Sequence, residues 1–476
     1  MSRKMGGALA LASLGALSLL LLNCGSSSSR PTGLLYVISQ AQSNVSSFSI
    51  DLNNGGLSLI NSNATTCSTL TQSPSVNCGL AVSMVLDPTG SSGFVLNQGV
   101  PDGVTTPTAT CPSPPCGIQP TVYPYTVFSN GSFSPPLTPV TWVDQQDNDT
   151  ALAMLSDPAV NLMFVINEGT SPSPANCPHQ PTEPTSGNPE PDPNDACPSI
   201  SVFATQSGQT ALSLTGNNCA ARNNGPCPYR LDRVPTSISV LTFTPPAPNN
   251  TQQTLLFMTS NKDLTAAHND NELSVYSVDS SGNLTELPNS PYTTLPDPEV
   301  VLAVNTNLPP TTTGGVFVYV GNQGSVSGSV SAFQVCTEVG SQGNGNCSTS
   351  DVADDLLLPV GTPAGAGQNP TAMLVDPTDS FLYVLSYGSS QIFAFRIATE
   401  TGTLSALTPA SAPTGAQPVA MAMHENYTVS GEFIYTSNST GESITGFSVG
   451  ATTGSLNTNP TTTLFTPGLP NAMAAR

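Results

Sequence analysis

His424 is the residue whose type best suits it to general acid–base chemistry. It lies in the segment Ala-Met-His424-Glu, where equivalent segments of the chain carry the aspartate of an Asp-Pro pair. Histidine has an ordinary pKa of about 6.5, so it can accept and return a proton near neutral pH. We therefore take His424 as the candidate catalytic residue. The alternative is a structural residue of a turn.

Three arginines form the basic cluster of this acidic sequence. Arg222, Arg230 and Arg233 surround the cysteines at 219 and 227. A guanidinium group presents a planar fork of donors that matches a carboxylate or a phosphate. The cluster predicts a ligand-binding site for an anion. The alternative is that these arginines neutralise neighbouring acidic groups.

The eleven cysteines indicate a chain that is oxidised outside the cytoplasm. Cys24 lies in the N-terminal segment, and the other ten form five close pairs, which predicts local disulfides. Because disulfides persist in oxidising compartments, the pairs indicate export. No Cys-x2-Cys spacing supports a zinc site, so we expect no metal and no cofactor. The predicted disulfides are Cys67–Cys78, Cys111–Cys116, Cys177–Cys197, Cys219–Cys227 and Cys336–Cys347.

The first 24 residues have the pattern of a secretory leader. Arg3 and Lys4 precede a short apolar run that ends at Cys24, and a serine-rich stretch follows. The run is too short for a comfortable membrane span of about 20 residues. The segment Leu-Leu-Asn-Cys24 resembles a bacterial lipobox, so we predict a lipoprotein signal peptide over 1–24 and a tether over 25–33. A plain signal peptide is the alternative.

These features place the mature chain at the bacterial cell envelope. A lipid on Cys24 would hold the protein to the outer membrane, on its periplasmic or surface side. The net charge of −21, from 30 acidic and nine basic residues, repels nucleic acid phosphates. We expect a monomer with no nucleic-acid partner, and with either an envelope protein or a small molecule as its ligand.

A repeated unit determines the fold class. Short apolar segments bounded by Gly, Pro, Asn and Ser predict strands, and one phrase carrying an aromatic recurs seven times. The chain is therefore expected to be all-β, with seven four-stranded antiparallel blades over 34–476. The seven aromatics are Phe48, Phe128, Phe203, Tyr276, Phe333, Phe395 and Phe447.

Two strands of each predicted unit have their own signatures. The second strand is a continuous apolar run such as Phe381-Leu-Tyr-Val-Leu385, as expected for a strand buried on both faces. The innermost strand carries a methionine or leucine in one register. The chain ends on such an inner strand, so this C-terminal strand should complete the first blade and close the ring. The inner register residues are Met84, Met154, Leu241, Leu302, Met373, Met421 and Met473.

The motifs resemble the lactonase-like seven-bladed propellers, a family that includes the propeller-type 6-phosphogluconolactonases. The likeness is carried by Pro370-x-Ala-Met-x-x-Asp-Pro377, then Phe-Leu-Tyr-Val, Ile-Phe-Ala-Phe-x-Ile and Thr-Gly-Thr-Leu404. It covers about residues 34–476. The resemblance implies lactone hydrolysis at one end of the central channel, with Arg-His pairs inside the inner strands. Here the corresponding segments read Asn369-Pro-Thr-Ala and Gln417-Pro-Val-Ala.

Two functions from different classes follow. The first is an extracytoplasmic, lipid-anchored propeller that acts as a binding or interaction module, because the Arg-His pairs are replaced. The alternative is a lactone hydrolase of the lactonase-like family. A purely structural envelope protein is a third hypothesis, since a fold does not supply a function.

Overall fold

The fold was analysed in a computed structural model of the chain. It describes residues 32–40, 44–65, 80–98, 120–138, 140–141, 151–157, 161–169, 198–206, 208–219, 225–245, 251–264, 270–306, 314–324, 327–336, 347, 357–424, 432–457, 462–466 and 468–476. Cys24, the leader, residues 25–31 of the predicted tether, Arg222 and six of the paired cysteines lie outside these residues, and residues 32–33 belong to a strand. The described residues form strands joined by turns, and none of them belongs to a membrane-spanning helix.

Seven antiparallel sheets make up the described chain, as the repeats predict. Blade 1 contains β1 (Thr32–Ser39), β2 (Asn44–Asp51), β3 (Leu57–Thr65) and β32 (Pro470–Ala475). Blade 2 contains β4 (Ala81–Leu86), β5 (Ser92–Asn97), β6 (Thr121–Thr126) and β7 (Val140–Thr141). Blade 3 contains β8 (Ala151–Asp157), β9 (Leu162–Asn167), β10 (Ser199–Ala204), β11 (Ser213–Thr215) and an extra β14 (Tyr229–Arg230). A separate hairpin pairs β12 (Asn218–Cys219) with β13 (Gly225–Pro226).

The remaining blades follow the same order from the centre outward. Blade 4 contains β15 (Arg233–Phe243), β16 (Gln253–Asp263), β17 (Glu272–Val278), β18 (Leu284–Glu286) and an extra β19 (Tyr292–Thr293). Blade 5 contains β20 (Pro298–Asn305), β21 (Val316–Asn322), β22 (Gly328–Val335) and β23 (Leu357–Gly367). Blade 6 contains β24 (Pro370–Val375), β25 (Phe381–Ser386), β26 (Gln391–Ile397) and β27 (Leu404–Pro413). Blade 7 contains β28 (Pro418–His424), β29 (Glu432–Asn438), β30 (Ser443–Val449) and β31 (Thr462–Phe465).

The ring closes as the sequence predicts. The C-terminal strand β32 pairs with β1, with Met473 opposite Val37. Each inner strand contacts the inner strands of the two neighbouring blades, in the cyclic order β32, β4, β8, β15, β20, β24 and β28. This closure joins the two ends of the described chain in one sheet and removes the open edges that invite aggregation.

The second strand of every blade forms the core between the blades. β5, β9, β21 and β25 are buried along their whole length, which confirms the prediction from their apolar runs. Each second strand carries one aromatic residue at the equivalent place, and this aromatic is at most 1% exposed. This regularity is separate from the aromatic pattern from which the repeats were predicted. These aromatics are Tyr36, Phe94, Phe164, Phe257, Tyr319, Tyr383 and Tyr435.

Phe128 was wrongly placed in the predicted aromatic register. In the other blades the register aromatic pairs with the second residue of the apolar run, as Phe395 does with Leu382. In blade 2 that residue is Gly93, and its partner is Tyr125. Phe128 lies beyond the strand and is 48% exposed. The Phe133 ring fills the space above Gly93, so an aromatic remains at this place but comes from the outer turn.

Two inner-strand assignments were also wrong. The register of Met373 is defined by its pairing with Val384, the fourth residue of the apolar run. The equivalent residues are Ile238 in blade 4 and Val301 in blade 5, so Leu241 was misplaced by three residues and Leu302 by one. The blade 5 segment is a continuous apolar run, and the blade 4 segment alternates serine with apolar residues, so several alignments look equally good without a methionine to mark one.

Candidate functional site

All seven inner strands carry a β-bulge at an equivalent place, which is one residue after the strand begins in six blades and three residues after it in blade 4. In blade 6 the pairing shifts between Pro370 and Ala372, which leaves Thr371 as the inserted residue. A bulge bends the strand and re-aims a side chain, and bulges are over-represented next to functional sites. Seven bulges in one register surround one end of the central channel, which we call the bulge end. The seven bulge residues are Asn471, Val82, Leu152, Thr236, Glu299, Thr371 and Val419.

Two of the bulge side chains form hydrogen bonds to the inner strand of the next blade. The Thr236 hydroxyl donates to the carbonyl of Pro298 at 2.7 Å, across the boundary between blades 4 and 5. The Asn471 amide donates to the carbonyl of Ala81 at 3.4 Å, across the boundary between blades 1 and 2. In blade 6 the Thr371 hydroxyl is buried and has no hydrogen-bond partner within the described residues. Because a buried hydroxyl without a partner is costly, a hydrogen bond from a ligand to Thr371 would be favourable.

Glu299 is the one titratable residue among the seven bulge residues. Burial raises the pKa of Glu299 above its ordinary value, and the neighbouring Asp297 carboxylate raises it further. Glu168, which follows β9 at the same end of the ring, also has a pKa raised by burial. A carboxyl group with a raised pKa beside a channel is suited to accept and return a proton.

The residue two positions before each bulge residue forms a second layer, which we call the rim. In five blades its carbonyl accepts a hydrogen bond from the residue that follows the second strand, as in Tyr387 to Asn369 at 2.9 Å. This bond repeats in blades 1, 2, 5, 6 and 7, so these rim backbones are held in the same way. The described rim residues are Leu469, Leu80, Val234, Asp297, Asn369 and Gln417.

Four rim residues have left-handed backbone conformations. The φ angles are 56° at Leu469, 53° at Asp297, 53° at Asn369 and 52° at Gln417. Each of them precedes the proline that begins an inner strand. Asn and Asp tolerate this conformation better than other residues with a Cβ atom, so Leu469 and Gln417 are the exceptional members of the set.

A short, buried polar side chain lies near the end of each second strand. Two of these side chains donate hydrogen bonds to the residue that precedes a rim residue. Ser39 donates to the carbonyl of Gly468 at 2.7 Å, and Ser386 donates to that of Gln368 at 2.6 Å. Asn438 donates to the Thr445 hydroxyl at 2.9 Å within its own blade. All seven of these side chains are at most 5% exposed: Ser39, Asn97, Asn167, Ser260, Asn322, Ser386 and Asn438.

His424 lies at the opposite end of its inner strand from the bulge. It is the last residue of β28, is 7% exposed and pairs with Phe433. A Cβ atom on Gly33 would lie 2.5 Å from the His424 Nε2 atom, so the imidazole packs against β1 of blade 1. The structure therefore separates His424 from Glu299 and Thr371 and places it where the ring closes.

Arg233 lies inside blade 4 and is 1% exposed. Its Nε atom is 2.7 Å from Asp232, and its Nη1 atom is 3.2 Å from Glu286 and 3.6 Å from Glu272. Nη1 also donates to the Ser274 hydroxyl at 2.7 Å. These contacts tie β15 to β17 and β18 and balance the guanidinium charge with the protein's own carboxylates.

The other two arginines do not complete an anion site in the described residues. Arg230 lies on β14 and is half-buried, with a partner of its own. Arg222 lies outside the described residues. The neutralising role considered for this cluster accounts for Arg233, and an anion site around Arg222 and Arg230 stays a prediction.

One predicted disulfide is present with its partners. Cys336 and Cys347 are joined, with 5.6 Å between their Cα atoms, which confirms that prediction. Cys227 is also disulfide-bonded. The backbone pairs Cys219 with Gly225 in a hairpin that also leads to Cys227, and the Cys219–Cys227 disulfide stays a prediction. The other three pairs lie outside the described residues.

Sequence reasoning missed Glu299 and Thr371 because it took the inner strand as regular. The phrase Pro-x-Ala-Met contains the signal, since x is the bulge residue in blade 6. Pro298-Glu299 and Pro470-Asn471 carry the same proline at the same place. Aligning the chain on these prolines rather than on the methionines would have brought the bulge residues together.

Solved structures with this architecture include three bacterial proteins. A periplasmic gluconolactonase from Pseudomonas aeruginosa has 14% identity and a TM-score of 0.55, over 94% of this chain and 99% of that one. A candidate 6-phosphogluconolactonase from Bacteroides fragilis has 12% identity and a TM-score of 0.55, over 95% and 100%. A protein from Lactobacillus plantarum has 12% identity and a TM-score of 0.55, over 94% and 100%.

These likenesses establish a shared seven-bladed fold and no more, because the identities are low. No family model matches this sequence. A search of curated proteins also gave no match.

Proposed function

We propose that this chain is an exported, lipid-anchored propeller that binds a small, uncharged, hydroxylated molecule at the bulge end of its channel. The observation that carries the proposal is the ring of seven bulges in one register, with Glu299 and Thr371 on neighbouring blades. A carboxyl group and a hydroxyl without a protein partner suit a ligand that both donates and accepts hydrogen bonds.

Charge argues for an uncharged ligand. None of the seven bulge residues or the six described rim residues is Lys, Arg or His. Phosphate recognition normally uses basic side chains or clustered backbone N–H groups, and the carboxyl groups of Glu299 and Asp297 would repel a phosphate. The proposed ligand is therefore hydroxylated and carries no phosphate.

The proposed location outside the cytoplasm is supported by disulfide chemistry. Cys336–Cys347 and the bonded Cys227 belong to an oxidised protein. Lipidation at Cys24 and placement at the cell envelope follow from the N-terminal sequence. The membrane is then a partner through the lipid alone, and the propeller itself acts as a monomer.

Saturation-transfer NMR tests the ligand class. We expect the protein to saturate D-glucose and D-glucono-1,5-lactone but not glucose 6-phosphate. Thr371→Val keeps the shape of the side chain and removes the hydroxyl, so it should weaken the signal. Stronger transfer to glucose 6-phosphate, or unchanged transfer in a Thr371→Val/Glu299→Gln variant, would refute the proposal.

A lactone hydrolase is the second candidate, and the raised pKa of Glu299 favours it. The Glu299 carboxylate would take a proton from water while the water oxygen attacks the lactone carbonyl. The ring C–O bond then breaks, and the proton passes from Glu299 to the departing alkoxide. The gluconolactonase from Pseudomonas aeruginosa shares the fold, which makes this chemistry worth testing.

Titration of acid released from D-glucono-1,5-lactone separates the two candidates. Turnover that falls about 10²–10⁴-fold in Glu299→Gln supports hydrolysis at this site. Turnover that falls in His424→Ala but not in Glu299→Gln would assign the chemistry to the other end of the strand. A rate equal to the uncatalysed one leaves binding as the function.

A further inference from the structure

The bulge end is divided into an apolar half and a polar half. In blades 1 and 2 the rim residues are Leu469 and Leu80, and the bulge residue of blade 2 is Val82. In blades 5 and 6 the rim carries Asp297 and Asn369, beside the bulge residues Glu299 and Thr371. In a ring of seven, blades 1 and 2 lie across the channel from blades 5 and 6. The division is therefore between opposite walls.

Both rim leucines present apolar surface to solvent. Leu469 is 40% exposed and Leu80 is 46% exposed. Asn471 is the polar residue on this wall, and its amide donates a hydrogen bond to the carbonyl of Ala81 at 3.4 Å. On the polar wall, the Thr371 hydroxyl is the buried group without a partner in the described residues. The two walls thus offer complementary surfaces to one molecule.

The backbone at Leu469 adds an independent observation. Its φ of 56° is the left-handed conformation, which leucine adopts with strain and asparagine adopts readily. The equivalent rim residues of blades 5 and 6 are Asp297 and Asn369, which suit this conformation. Gln417 of blade 7 shares the conformation, with a φ of 52°, so the left-handed backbone belongs to the repeat, and Leu469 differs by placing an exposed apolar side chain there. Strain of this kind is concentrated at ligand-binding sites.

We infer that the ligand of this site is amphiphilic. Its hydroxylated head contacts Glu299 and Thr371, and its hydrocarbon portion covers Leu80 and Leu469. This inference rests on the proposed function and deepens it by naming the chemical class of the ligand. The chemistry fits a sugar or a lactone that carries an alkyl or acyl chain.

Calorimetry with alkyl β-D-glucosides tests the inference. Methyl, butyl, hexyl and octyl glucoside share one head group and differ only in the apolar chain, and each is used below its micelle-forming concentration. We expect affinity to rise about fourfold for each methylene that the leucine wall covers. Equal affinity across the series overturns the amphiphilic ligand and leaves the proposed site standing. Failure of all four glucosides to bind overturns both.

Substitution of the rim leucines tests where the hydrocarbon portion of the ligand binds. Leu80→Asn and Leu469→Asn should each weaken octyl glucoside at least fivefold and leave methyl glucoside unchanged. Leu469→Asn should also raise Tm by about 1–2 °C, because the strain is relieved. The matched control is Phe465→Asn, which removes a 78% exposed side chain from the outer strand β31. A loss in Phe465→Asn equal to that in the rim variants would show nonspecific adsorption and refute the inference.

Discussion

Glu299 is held in an environment that favours its neutral form. The side chain is half-buried at a bulge, and the Asp297 carboxylate is two residues away. Both influences raise its pKa above the ordinary value of 4.5. The folded protein therefore binds a proton at Glu299 in a pH range where the unfolded chain has already released it.

This difference predicts a pH-dependent stability at one residue. Below pH 4.5 Glu299 is protonated in both states, so Glu299→Gln should match the wild type. As the pH rises above 4.5, the unfolded state gains from ionisation before the folded state does, and the wild type loses stability relative to the variant. Urea unfolding at several pH values measures the gap. A gap that closes with rising pH would contradict the raised pKa.

Tyrosines of the second strands join some blades to their neighbours. The Tyr319 hydroxyl donates to the carbonyl of Gly402 at 2.9 Å, that of Tyr383 to Gly454 at 2.7 Å, and that of Tyr435 to Gly55 at 3.0 Å. These three bonds cross the boundaries from blade 5 through blade 6 and blade 7 to blade 1. Blades 2, 3 and 4 have phenylalanine at the same place and cannot make the bond.

Each of these bonds should contribute a measurable share of the stability. Tyr383→Phe is expected to lower the free energy of unfolding by about 1 kcal/mol, because it leaves the carbonyl of Gly454 unpaired. Tyr36→Phe is the matched control, since the Tyr36 hydroxyl is equally buried and has no partner in the described residues. Denaturant unfolding of both variants tests the difference. Equal losses would mean that the interblade bond contributes nothing.

Sequence patterns predicted the second strands well and the inner strands less well. An uninterrupted run such as Phe381–Leu385 has one interpretation, because a strand covered on both faces needs apolar residues throughout. The inner strand is interrupted by a bulge, and one inserted residue changes the period without changing the composition. That explains why Leu241 and Leu302 were assigned to the wrong register and why Glu299 was overlooked.

At the scale of the molecule, the last strand completes the first sheet. The backbones of Leu34 and Arg476 exchange hydrogen bonds in both directions at 2.9 Å, and the Arg476 guanidinium donates to the carbonyl of Gly90 in blade 2 at 2.8 Å. The closing strand therefore contacts two blades. The sequence predicted this closure because the chain enters on a second strand and leaves on an inner one.

Removal of the closing strand should open the ring. A chain that lacks residues 470–476 leaves β1 with an exposed edge and removes the Asn471 contact to blade 2. We expect it to lose cooperative unfolding and to aggregate. Thermal unfolding followed by circular dichroism, with light scattering, measures both effects. A truncated chain that melts like the full-length protein would show that closure is not needed.

The blades that carry the site could be predicted from the sequence, and the site itself could not. The seven blades and their closure follow from repeats that run along the entire chain. The bulge end is visible only in the folded structure, because it is assembled from seven segments that lie up to about 390 residues apart, as Ala81 and Asn471 do. No local pattern shows that the segments of Glu299 and Thr371 lie at the same end of the ring as those of Leu80 and Leu469.

A crystal structure of the protein soaked with octyl β-D-glucoside tests the central claim most directly. We predict one molecule at the bulge end, with sugar hydroxyls within hydrogen-bond distance of Glu299 and Thr371 and the alkyl chain against Leu80 and Leu469. A glucoside bound at the His424 end of the inner strands, or elsewhere with the bulge end unoccupied, would contradict it.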